Sequence, residues 1–115
     1  MSKFVLILHD NPSGFAALSP AEMQAVIAEY GAWAQKLGAM GRLAGGHKLT
    51  DEGGRRLSAT SGKLVVTDGP YAEAKDVIGG FFIIEAADYA DAEALCADCP
   101  HVKYGEIELR MVHDV

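Results

Sequence analysis

Hydrophobic and polar positions along the chain switch between a period of two and a period near 3.6, and the switches mark out the elements. Phe4 to Leu8 is an unbroken aliphatic and aromatic run, the pattern of a short strand buried on both faces. His9-Asp10-Asn11-Pro12-Ser13-Gly14 then brings turn chemistry, so the strand is expected to stop there. From Ser19 the period lengthens. Ser19 fits an N-cap, Pro20 the first helical position and Glu22 the third, a capping box, with Leu18 and Met23 at the staple positions. Met23, Val26, Ile27, Tyr30, Trp33, Ala34 and Leu37 recur at helical spacing as one apolar stripe, and Gly38 and Gly41 mark its end. Gly31, mid-helix, points to close packing on a sheet.

Arg42 to Leu49 reads as a second strand with an irregularity, a bulge, at Gly45-Gly46, and Thr50 to Gly54 as loop. Arg56 to Thr60 and Lys63 to Thr67 read as two short strands joined through Ser61-Gly62. Asp68-Gly69-Pro70-Tyr71 must break the second of them, because Pro70 has no N–H to donate and restricts Gly69. Ala72 to Asp76 is connector. Within Val77 to Glu85, nearly all apolar, a strand is expected over Gly79 to Glu85. Asp88 caps a second helix whose buried stripe is Ala92, Leu95, Cys96 and Cys99, closed by Pro100. The last strand, Glu106 to Val112, sends Ile107, Leu109 and Met111 one way and Glu106, Glu108 and Arg110 the other.

The order is β–α–β, an inserted hairpin, then β–α–β. That predicts one domain over residues 1–115 with an α+β fold, a ferredoxin-like βαββαβ sandwich whose two helices share one face of an antiparallel sheet. Two helices cover one sheet face, yet two strands are apolar on both. The remaining face needs a cover, and a symmetric homodimer, sheet against sheet, supplies it and encloses a space between the copies.

Composition narrows the function. The chain has 115 residues, 50% hydrophobic and 23% charged, which excludes a disordered tail. A net charge of −6 repels phosphate backbones and anionic membranes, so neither nucleic acid nor membrane is expected as partner. The N-terminus lacks the pattern of a signal peptide, and two cysteines suit a reducing compartment, which together predict a cytoplasmic protein. Arg42, Lys48, Arg55, Arg56 and Lys63 make the middle of the chain basic, whereas Asp68 to Asp98 holds eight acids and one Lys. That asymmetry can guide self-association or an anionic ligand, or simply reflect solvated faces.

Asp68-Gly69-Pro70-Tyr71-Ala72-Glu73-Ala74-Lys75, followed by Gly79-Gly80-Phe81-Phe82, resembles the signature of the DGPF-type branch of the YCII-related proteins, with Tyr71 in place of the Phe. The resemblance extends to the helix start at Ser19 to Met23, the Gly45-Gly46 strand and the closing segment from Cys99 to Arg110. It implies a dimeric α+β barrel. In the best-known YCII proteins a His near the start of the first helix pairs with an Asp as a catalytic dyad. Here no His lies between Ser19 and Gly38, so the resemblance carries over no helical His. Members of the DGPF-type branch are often encoded beside, or fused to, extracytoplasmic-function sigma factors, which implies a regulatory setting and a sigma-factor association.

Asp68 leads the catalytic candidates: a carboxylate at a strand end, held by a Gly-Pro turn, can act as general base or polar anchor, or merely accept turn N–H groups. His9, at the end of the first strand, and His47, in the Gly-Gly strand, titrate near neutrality and can pair with it. Tyr71, Glu108 and Arg110 are the ligand-binding candidates, the last two as lumen groups or as a plain charge pair. His101 and His113 read as surface residues. Cys96 and Cys99 have C-x-x-C spacing but sit where a helix dipole is negative, which disfavours thiolate, so buried thiols are expected. With His101 they make only three nearby zinc ligands, and no glycine pair has phosphate-loop spacing, so neither metal nor cofactor is expected. Three readings remain open: a cofactor-free acid–base enzyme on a small polar molecule, a ligand-sensing or protein-interaction module tied to transcription, and a structural dimer.

Overall fold

The computed structural model describes residues 1–11, 14–15, 17–50, 53–68 and 76–113. In chain order the elements are β1 (Ser2–Asp10), α1 (Pro20–Ala39), β2 (Leu43–Lys48), β3 (Arg55–Thr60), β4 (Lys63–Asp68), β5 (Val77–Ala86), α2 (Tyr89–Cys96), a 3-10 turn (Pro100–Lys103) and β6 (Glu106–Met111). Four strands form an antiparallel sheet in the order β2-β5-β1-β6, and β3 and β4 pair separately as a hairpin. Two helices with antiparallel sheets make an α+β architecture consistent with the expected ferredoxin-like fold. Among the described residues, no helix is long and apolar enough to cross a membrane.

The two central strands, β1 and β5, are the ones with apolar side chains on both faces. On β1 the even positions Phe4, Leu6 and Leu8 are buried under the helices with Ile84 and Ala86 of β5, while Val5 and Ile7 point to the other face. Register sets Val5 opposite Ile83 and Ile7 opposite Phe81, so four apolar side chains line that second face. All four are half-buried.

Helix α1 is built at both ends as its sequence implies. Ser19 Oγ accepts from the Glu22 N–H at 3.1 Å, and Glu22 Oε1 accepts from the Ser19 N–H at 3.1 Å. At the far end Gly41 takes φ 72°, so the Arg42 N–H reaches the Leu37 carbonyl at 2.9 Å and the Gly41 N–H that of Gly38 at 3.0 Å, a Schellman motif. Val26, Trp33 and Leu37 are its buried residues. Trp33 packs edge-on to Phe82 at 5.0 Å between ring centroids and donates its indole N–H to the Leu95 carbonyl at 3.3 Å, tying α1 to α2.

Several expectations are corrected. Ile27 is 61% exposed: the stripe that meets the sheet follows Val26, Tyr30, Trp33 and Leu37, and Ile27 lies about 100° around the helix from Val26. A Cβ on Gly31 would meet nothing within 4 Å, so no close packing calls for that glycine. Met111 is exposed, because β6 is an edge strand and its last residue runs past the helices. Strand β1 continues through His9 and Asp10, and β5 begins at Val77, two residues before the expected start. A register shift between Leu8 and His9 lets the ladder absorb Gly79 as an extra residue on β5. The irregularity expected at Gly45-Gly46 is present, as a shift between Leu43 and Gly45. In the hairpin, Ser61 and Gly62 both take positive φ, 53° and 77°, the requirement of a type I′ turn.

Two substitutions separate local from tertiary support. Ser19→Ala removes one side-chain acceptor and is expected to cost about 1 kcal/mol. Leu6→Ala opens a hole at a site with no solvent exposure and is expected to cost about 2–5 kcal/mol in chemical denaturation.

Candidate functional site

Alternation along β1 decides what its end presents, and a bulge at Gly79 on β5 lies opposite that end. Past it, His9 pairs with Ile78 and Asp10 with Val77. His9 turns to the open face of the sheet, whereas the Asp10 carboxylate approaches His101 under the helices. A Cβ at Gly79 would meet the tip of that carboxylate, which would have to move aside.

On the open face the His9 ring sits between two carboxylates. Its Nε2 lies 2.9 Å from Glu108 Oε1, and its Nδ1 lies 3.2 Å from both oxygens of Asp76. Glu108 reaches it diagonally across the β1–β6 ladder, where His9 faces Glu106 and Ile7 faces Glu108. Both ring nitrogens have an acceptor, and only the imidazolium can donate to both. Accordingly the Glu108 hydrogen bond, and then the Asp76 charge, hold His9 above its ordinary pKa against the opposing effect of burial. The same bond, followed by the Arg110 guanidinium at 3.2 Å, holds Glu108 below the usual carboxylate range. His9 is 22% exposed, so the ring is accessible from this face.

Directly beneath, on the helix side, a second histidine braces the same strand end. His101 is 1% exposed, a correction to the surface position expected of it. Its Nε2–H donates to the His9 carbonyl at 2.9 Å and lies 3.4 Å from Asp10 Oδ1, and its Nδ1 is 2.7 Å from the Tyr30 hydroxyl. Burial, then the Asp10 charge, pushes the Tyr30 hydroxyl well up from its ordinary value, so Tyr30 keeps its proton in this contact. Gly105 passes so close to the His9 carbonyl and His101 Nε2 that any Cβ there would clash. The His101 position came with no periodic signal: Pro100–Lys103 is a single 3-10 turn.

The other candidates are placed as follows. Glu108 and Arg110 share the open face with His9. His47 is exposed on β2, its ring edge-on to Phe81 at 5.9 Å between centroids. Asp68 ends β4, 86% exposed, and pairs with Arg55 at 3.0 Å, while the carboxylates that reach His9 are Asp76 and Glu108. Tyr71 lies outside the described residues, as does the rest of the turn from Gly69 to Lys75. Asp76 was missed by sequence reasoning, being one acid in a run of many. Among the described residues no cluster of His, Cys, Asp and Glu is suited to hold a metal ion.

The expected pair of buried thiols on one helix is met only in part: α2 ends at Cys96, which is half-buried, and Cys99 lies beyond it. Cys99 is buried and burial raises its pKa, while burial and then Cys99 push Cys96 up to about 11. A groove of about 540 Å³ lies between α1 and residues 97–103, crossed by the Lys36–Asp98 and Lys103–Glu29 ion pairs. It is shallow, sits on the helix side and does not include His9.

The sandwich therefore carries a histidine clamped by two carboxylates on the sheet face that the helices leave bare. A model of the YCII-related domain matches residues 2–115, and the chain belongs to that family. No curated relative matches it. Among solved structures it is similar to the 5-chloro-2-hydroxyhydroquinone dehydrochlorinase TftG from Burkholderia phenoliruptrix AC1100, in complex with 2,5-dihydroxybenzoquinone. Identity is 18%, coverage 100% of this chain and 96% of that one, and the TM-score 0.48.

The clamp sets two testable pH effects. An NMR titration of the His9 ring is expected to read above 6.5, with Glu108→Gln lowering it more than Asp76→Asn, since the Glu108 bond is the stronger cause. For stability, the raised His9 contributes in full below pH 6.5 and loses its contribution as pH climbs through its folded value. The depressed Glu108 contributes in full above pH 4.5 and loses its contribution as pH falls through its folded value. The melting-temperature gap between the native chain and Glu108→Gln is thus expected to be widest between pH 4.5 and 6.5.

Proposed function

We propose that the chain binds a small polar molecule against the open face of its main sheet and exchanges a proton with it through His9. In this reading a second copy of the chain covers the face, as in a dimeric α+β barrel, and the site lies in the chamber between the sheets. The observation that carries the proposal is the carboxylate clamp on His9. A histidine whose pKa is raised by flanking carboxylates is a ready general acid, and once it has given up its proton the same carboxylates favour its return. Glu108 orients the ring, and Arg110, exposed beside it, offers a cation for a carboxylate, phenolate or enolate oxygen of the bound molecule.

Val5, Ile7, Phe81 and Ile83 supply the apolar floor that a small ligand needs around such polar groups. The same four side chains support the dimer, because a sheet face of this character is normally covered. The chemistry that fits is proton transfer, isomerisation or hydrolysis at one small substrate. The Asp68 turn, which resembles the DGPF-type signature, sits on the inserted hairpin and is proposed to mark that branch of the family.

A panel of small keto acids, hydroxy acids and phenols, screened by shifts of the His9 ring resonances, tests the binding step. Solvent deuterium incorporation into any binder then tests catalysis. The expected result is a binder whose exchange falls by about 100-fold or more in His9→Asn, with Asp68→Asn run in parallel to report whether the hairpin carboxylate takes part. Exchange that is unchanged in His9→Asn would overturn the catalytic role. Binding with no exchange would favour the ligand-sensing reading, and a panel that never moves the His9 resonances would leave neither.

A further inference from the structure

The hairpin of β3 and β4 has two chemically different faces. Register places Leu57 opposite Val66 and Ala59 opposite Leu64 on one face, with the Arg55–Asp68 ion pair at its end; Arg56, Ser58, Thr60, Lys63 and Thr67 lie on the other, with Val65. The apolar face is bare: Leu57 is 61%, Leu64 66% and Val66 53% exposed. Among the described residues the hairpin pairs with no strand of the main sheet. A two-stranded ribbon is marginal in water without a surface to pack on, and patterned alternation of this kind has no purpose on a ribbon wet on both sides.

We propose that this hairpin is an arm that docks its apolar face on a second copy of the chain, alongside the sheet face described above. The proposal rests on the reading that a second copy covers that face, and it adds an element and a set of residues which that reading does not require.

Three observations choose a second copy as occupant. The first is area: the accessible surface is 7719 Å², against about 6,100 Å² for a compact monomer of this mass. The excess exceeds the roughly 800 Å² that each partner gives to a standard interface. The second is shape. The chain is a plate of 47 × 44 × 18 Å with a radius of gyration of 16.1 Å, where a self-contained domain of this length has about 13 Å.

The third is charge. The hairpin carries Arg55, Arg56 and Lys63 against Asp68 alone, in a chain of net charge −6. It springs from the end of the sheet that holds Asp10, Asp76, Glu106 and Glu108. Basic arm and acidic body on one molecule are complementary between two copies related by a two-fold axis, where each gives its arm and receives the other's.

Two measurements on the full chain decide the matter. In a dimer mixed from isotope-labelled and unlabelled protomers, the methyl groups of Leu57, Leu64 and Val66 are expected to show filtered NOEs to the other protomer. The double variant Leu57→Ser/Leu64→Ser is expected to weaken dimerisation by about 100-fold or more in sedimentation, with the Trp33 fluorescence of the folded body unchanged. A dimer without those NOEs, and undiminished in the variant, would overturn the arm and leave the covered sheet face standing. NOEs from these methyls to their own protomer's sheet would overturn it in the same way. A wild-type chain that stays monomeric to about 100 µM would overturn the arm and the dimer together.

Discussion

Two helices can hide only one face of a four-stranded sheet, and every feature of this molecule follows from how the chain disposes of the other. The central strands β1 and β5 carry Phe4, Leu6, Leu8, Ile84 and Ala86 to the helices and Val5, Ile7, Phe81 and Ile83 away from them. The first set makes a core in which Phe4, Leu6, Ile84 and Ala86 have no solvent exposure, closed from above by Trp33, Leu37 and Ala92. The second set is an apolar floor with charged walls. Stability rests on one side of the sheet, which frees the other side for binding.

The two sides meet at a single strand end. Alternation along β1 turns His9 onto the open face and Asp10 toward His101 below, and the extra residue opposite them, Gly79 on β5, leaves the space that the Asp10 carboxylate fills. His101 then grips the His9 carbonyl from the core side, with the Tyr30 hydroxyl on its other nitrogen. Gly105 has no side chain because the His9 carbonyl occupies the space that side chain would need. A ring on a frayed strand end would wander; this one hangs from backbone that is clamped on the buried side.

How much of this the sequence discloses depends on the range of the interaction. The strands, both helices, the capping box and the Ser61-Gly62 turn are written in neighbouring residues, and the α+β architecture follows from their order. Strand ends are less legible: His9 and Asp10 look like turn residues because local propensity cannot see the β5 partner that recruits them. The site is harder still. His9, Glu108 and Arg110 can be nominated by type and strand position, but the clamp needs Asp76, sixty-seven residues from His9 in the chain. His101 gives no periodic signal at all, since one 3-10 turn has no face to read.

The buried histidine and the exposed one meet different partners. His101 sits in the core with its two nitrogens on the His9 carbonyl and the Tyr30 hydroxyl and with Asp10 3.4 Å away. His9 sits between two carboxylates on the open face, with access to solvent. The backbone carbonyl of His9 is the one atom through which the two rings are coupled. Displacing the core histidine is therefore felt at the His9 ring as a loss of position, while the carboxylates around that ring keep its pKa raised.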